Sequence, residues 1–89
     1  MTITRRSLGT TPIKAIGYAA NRTSLVIYNN SANIVYWANS RDMCQEGSGF
    51  PIKSGVSFSL KIPEDDPRPE IWLVANVAAS DTAIYEGYG

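Results

Sequence analysis

The sequence predicts an all-β fold, an antiparallel sandwich or squashed barrel of six or seven short strands. Three observations point that way. Short alternating apolar and polar runs recur about every ten residues, the spacing of sandwiches and small barrels. Turn-forming residues bound most of them. No window combines apolar residues at helical spacing with helix caps, and the alanine-rich stretch 74–80 is too short to stand alone as a helix.

Residues 1–12 are polar and end at Thr11-Pro12, so they read as an N-terminal arm or irregular lead-in. A single sandwich domain is expected over residues 13–89. Its first strand is the short run Ile13-Lys-Ala-Ile16, closed by Gly17. Residues 24–29 and 33–39 then alternate on either side of the cluster Asn29-Asn-Ser-Ala-Asn33. Asparagine and serine suit turns because their side chains bond nearby backbone. The pair therefore reads as a hairpin, with Leu25, Ile27, Ile34 and Tyr36 on the core face.

Residues 40–49 form an exposed polar loop with two glycines. Phe50-Pro51-Ile52 is a brief extended piece, and its proline confines it to an edge or a strand start. Residues 53–56 turn at Gly55. Residues 57–62 give the cleanest half-buried strand, with Phe58, Leu60 and Ile62 on one face and Ser57, Ser59 and Lys61 on the other. Three prolines between 63 and 69 exclude helix and interior strand there. Residues 70–76 are apolar on both faces and should lie centrally or at a subunit interface. Residues 77–81 turn, 82–86 close the sheet, and 87–89 trail off. The expected core is Leu25, Ile27, Ile34, Tyr36, Phe58, Leu60, Ile62, Ile71, Leu73 and Ile84.

At 89 residues the chain buries only about 60–65% of its unfolded surface, so its stability is marginal without help. Disulfides, metals or partner chains usually supply that help. Cys44 is the only cysteine and there is no histidine, so neither an intrachain disulfide nor a zinc site of nitrogen and sulfur ligands can be built. Partner chains remain. Eight basic and eight acidic residues give zero net charge, and only 18% of residues are charged. Such a surface favours association and argues against nucleic acid as a main partner. No run is long enough to span a bilayer, so no membrane role is expected. Residues 1–9 lack the apolar core of a secretory signal.

The chain offers little chemistry. Without histidine, no Ser-His-Asp triad can form, and Cys44 has no activating base. Glu64, Asp65, Asp66 and Glu70 make an acidic cluster without a calcium-loop spacing, read as a solvated loop tip partly neutralised by Arg68. Asn21-Arg-Thr23 and Asn29-Asn-Ser31 match the glycosylation acceptor pattern but read as turn chemistry. Gly47-Ser-Gly49 lacks the lysine and the helix of a phosphate loop. Arg5-Arg6 reads as solvated charge in the arm. No catalytic residue, cofactor or metal site is expected.

The aromatic residues are the remaining signal. Two tryptophans, five tyrosines and two phenylalanines exceed what one small core requires. Tryptophan and tyrosine favour the centres of subunit contacts. Residues 34–38 and 70–76 both carry apolar side chains on the face left over from the core. Trp37, Trp72, Val35, Val74 and Tyr28 are therefore the expected interface residues.

The order of phrases resembles small all-β virion structural proteins of tailed phages, such as head-decoration, fibre-base or tail-associated modules. It runs Arg22-x-x-Leu25-x-Ile27-x-Asn29-Asn30-Ser31, Ile34-x-Tyr36, Gly49-Phe50-Pro51-Ile52-x-x-Gly55, Phe58-x-Leu60, then Glu70-Ile71-Trp72-x-Val74-Ala75. The longer loop at 40–48 departs from that pattern. The resemblance implies a non-enzymatic assembly subunit of a virion, made in the host cytoplasm. Its partners would be itself, as a trimer or dimer, and other virion proteins. The alternative expectation is a small ligand-binding module for glycan or single-stranded nucleic acid, using the aromatic residues as a stacking surface. An enzyme fragment is a third reading, weakened by the missing histidine.

Overall fold

A computed structural model describes residues 2–45, 49–61 and 66–88. Eight strands form two four-stranded antiparallel sheets, and no helix occurs among the described residues. The strands are β1 (Thr2–Leu8), β2 (Ile13–Ile16), β3 (Arg22–Asn29), β4 (Val35–Ala38), β5 (Phe50–Ile52), β6 (Ser57–Lys61), β7 (Ile71–Ala75) and β8 (Ser80–Tyr88). One sheet runs β1-β8-β3-β6 and the other β2-β7-β4-β5. The pairings nest, with β4 on β5, β3 on β6, β2 on β7 and β1 on β8. The chain is thus one long hairpin rolled up on itself, and the two sheets have the strand order of a jelly roll.

The core lies between the sheets. Leu8, Leu25, Ile27 and Ile84 from the first sheet meet Ala15, Ile16, Val35, Ile52, Ile71, Leu73 and Ala75 from the second. Trp37, Phe58 and Leu60 pack against this cluster from its margin. Each fully buried Leu or Ile is worth about 1.5–3 kcal/mol relative to exposure. Ser57 and Ser59 face solvent, so β6 has the alternation expected of it. Pro51 sits on an edge strand, where its missing N–H costs nothing. β7 takes a central place and is buried on both faces at Leu73 and Val74. Ile62 lies outside the described residues.

The structure corrects three expectations. Residues 2–8 are a strand, not an irregular arm, so there are eight strands and not six or seven. β1 lacks an apolar face and is held by pairing with β8 along its whole length. Residues 24–29 and 33–39 are not a hairpin, since β3 pairs with β6 and β8 while β4 pairs with β5 and β7. The polar cluster carries the chain from one sheet to the other. Buried Asn29 fixes that crossing: its Nδ2 donates to the carbonyls of Asn33 at 2.7 Å and Ile52 at 2.8 Å. Its Oδ1 accepts from Ser31 N–H and Oγ–H.

Because of the crossing, β4 turns its other face inward. Val35 pairs with Ala75 and Trp37 with Leu73, so Val35 and Trp37 face the core while Ile34 and Tyr36 do not. Arg5 and Arg6 are both exposed, as expected of solvated charge, and each also has a partner. Arg5 pairs with Asp81 at 3.0 Å, and Arg6 donates from Nε and Nη2 to the carbonyl of Ala15.

One charged pair is buried between the sheets. Arg22 is 1% exposed and Glu86 7%. Arg22 Nε lies 3.6 Å from Glu86 Oε2, and both terminal nitrogens donate to the Gly17 carbonyl. Tyr88 Oη donates to Glu86 Oε2 at 2.6 Å.

Candidate functional site

The side of the sandwich between edge strands β5 and β6 is closed by aromatic rings. Cross-strand pairing sets Trp37 of β4 beside Phe50 of β5 on the same face. Phe58 reaches them from β6 in the opposite sheet. Ring centroids lie 4.7 Å apart for Phe50 and Phe58, 5.2 Å for Trp37 and Phe58, and 6.2 Å for Trp37 and Phe50, all tilted. Tilted pairs at these distances add about 0.5–1.5 kcal/mol beyond their buried area. The cluster is nevertheless unfinished. Phe50 is 50% exposed. Trp37 Nε1 is buried without a hydrogen-bond partner among the described residues.

The loop after β4 extends this surface. Met43, 61% exposed, borders a shallow cavity of about 290 Å³ with Trp37, Ala38, Asn39, Ser40, Gly49 and Phe50. The loop is anchored by Cys44. Its N–H donates to the carbonyls of Ser40 and Arg41, and its Sγ lies 3.6 Å from the Tyr36 carbonyl. Cys44 is fully buried, and burial pushes its thiol up to about 11. A protonated, inaccessible thiol is a packing group and not a nucleophile.

A second cavity, of about 450 Å³, lies on the outer face of the β2-β7-β4-β5 sheet. It is bordered by Thr10, Pro12, Arg41, Asp42, Gln45 and Val74. Val74, 2% exposed, is thereby removed from the expected interface set: the β1–β2 connection and the 41–45 loop flank it. Val35 is removed as well, because it has no exposed surface and belongs to the core. Trp72 remains half-buried on the outer face, and its Nε1 donates to Glu70 Oε1 at 3.1 Å. Glu70 also meets Lys14 at 3.8 Å. Tyr28 is half-buried on the outer face of the other sheet, in a row with Ala83 and Ser57.

The sequence-predicted interface residues therefore do not converge on one patch. Only Trp37 sits at the aromatic side, together with Phe50 and Met43, which sequence pattern places only in a strand and a loop. Phe50 carried a usable signal, since it precedes a proline on an edge strand and stands two residues from an inward-facing Ile52.

In the acidic stretch, Glu64 and Asp65 lie outside the described residues. Asp66 pairs with Arg68 at 2.9 Å, which holds its carboxyl below the usual range. Among the described residues, no three His, Cys, Asp or Glu side chains gather as a metal site. No family model, curated protein or solved structure matches this chain at a significant level.

Proposed function

We propose that the chain is a non-enzymatic structural subunit that associates with itself and docks on other proteins of a larger particle. The observation that carries this reading is the unfinished aromatic side. Phe50 and Met43 are exposed beside a partly buried Trp37 on a chain with no net charge. Exposed apolar side chains grouped in this way mark contact sites. The resemblance of its phrases to those of tailed-phage virion proteins favours a virion as the particle.

Light scattering over the micromolar range tests the self-association. The expected result is a defined dimer or trimer. Phe50→Ser should weaken it by at least about 2 kcal/mol, the hot-spot scale, while far-ultraviolet circular dichroism stays native. A wild-type protein that remains monomeric at these concentrations removes the assembly reading. Mass spectrometry of purified particles tests the virion half, and absence of the chain from them removes it.

A further inference from the structure

The four edge strands of the sandwich are unequal. A free edge is a template for another strand, and proteins blunt such edges with charges, prolines, bulges or brevity. β1 carries Arg5 and Arg6 at its middle. β2 has a register shift between Lys14 and Ile16. β5 is three residues long with Pro51 at its centre. β6, Ser57-Phe-Ser-Leu-Lys61, has no proline, bulge or mid-strand charge. Among the described residues, no strand pairs with its outer side.

We propose that β6 pairs with β6 of a second copy, antiparallel about Ser59, joining the two β1-β8-β3-β6 sheets into one. The proposal rests on the assembly reading above and names its contact. The backbone sets the register. Asn29 N–H donates to the Val56 carbonyl, so alternation along an antiparallel ladder makes Ile27–Phe58 and Leu25–Leu60 the bonded pairs with β3. The N–H and C=O groups of Ser57, Ser59 and Lys61 then point to the free edge. They are symmetric about Ser59, so a two-fold axis there gives each of them a complement, as a self-complementary dimer contact requires.

The same register sets Phe58 beside the partner's Leu60 on the inner face. Both side chains are only partly buried in the single chain. Ser57 stands opposite the partner's Lys61, so no like charges meet. A β1–β1 pairing about Arg5 would instead oppose arginine to arginine. Phe50, stacked on Phe58, lies over the same edge.

Cysteine cross-linking tests the register. In a bonded antiparallel pair, opposite Cα atoms lie about 5.5 Å apart, within the disulfide range of about 4.4–6.8 Å. Ser59→Cys should give a disulfide-linked dimer under mild oxidation. Ser57→Cys and Arg5→Cys should not, since the two copies of Ser57 would be about 13 Å apart at roughly 3.3 Å per residue. The wild type, with buried Cys44, is the blank. Ser59→Lys should weaken association at least about tenfold with unchanged circular dichroism, because it sets two cations on the axis.

If Ser59→Cys fails to link and Ser59→Lys leaves a wild-type oligomer intact, the β6 contact is wrong while the assembly reading stands. Linking of Ser59→Cys to Arg5→Cys in a mixture would show a β6–β1 contact and also overturn the proposal. A monomeric wild type overturns both.

Discussion

The two open sides of the sandwich are closed by opposite chemistry. On the β1/β2 side, arginines from one sheet tie down the other. Arg6 donates to the carbonyl of Ala15, and Arg22, reaching from β3, donates to that of Gly17. Gly9 accepts from Ala75 N–H at the other end of β7. On the β5/β6 side, no arginine bridges the sheets among the described residues; Asn29 donates to the Ile52 carbonyl at one end, and three aromatic rings fill the rest of the gap. A directional polar clamp can be completed within one chain, because each donor finds its acceptor. A ring at an edge stays half in water until something covers it. The first side is therefore completed within one chain, and the second leaves aromatic surface in water.

The largest test of that contrast is Arg22→Met. It leaves Glu86 buried beside the vacated guanidinium, and breaking a buried pair from one end costs about 3–5 kcal/mol. Denaturant titration reads it, and a loss under about 1 kcal/mol would mean that the clamp is ornamental. On the aromatic side, Phe58→Ala should cost less, about 2–3 kcal/mol, because the ring is only partly buried. Ser59→Ala, on the solvent face next to it, should stay within about 0.5 kcal/mol. Equal losses at positions 58 and 59 would contradict the inward placement of Phe58.

The smallest effect concerns the loop that flanks the aromatic side. The Cys44 thiol rises from 9.0 to about 11 through burial. Between those values the folded chain keeps a proton that the unfolded chain has released, so stability falls as pH rises through the window. Raising pH from 8 to 10 should cost the wild type about 1 kcal/mol more than Cys44→Ala. Parallel pH dependence of the two proteins would show that the thiol is not sequestered.

Legibility in the sequence followed the physics of alternation. β6 and β7 were readable because one has a clean two-residue period and the other is apolar on both faces. Period two tells which residues share a face, but not which sheet the strand joins. The stretch from Leu25 to Ala38 therefore looked like a hairpin, when buried Asn29 turns it into a crossing. Through β4 and the residue before it, five apolar residues run in succession, Ile34, Val35, Tyr36, Trp37 and Ala38, so no pattern selects the inward pair. β1 was missed because Leu8 is its only buried apolar side chain among those described. The Arg22–Glu86 pair was invisible for another reason: its members are distant in sequence, and only the β3–β8 ladder joins them. At the candidate site, Trp37 was named for its excess aromatic surface, whereas Phe50 and Met43 needed the β4–β5 register to reveal them.

The nested pairing has a consequence for the growing chain. β8 separates β1 from β3, and β7 separates β2 from β4. The strands that fill these inner places come last in the sequence. Before they emerge from the ribosome, β1 and β2 have no neighbour to bond, and only the β3–β6 and β4–β5 ladders can exist. Until then the chain can form at most two separate two-stranded ribbons, each marginal on its own. A single late segment, residues 71–88, then joins each ribbon to the strand that has waited for it since the start.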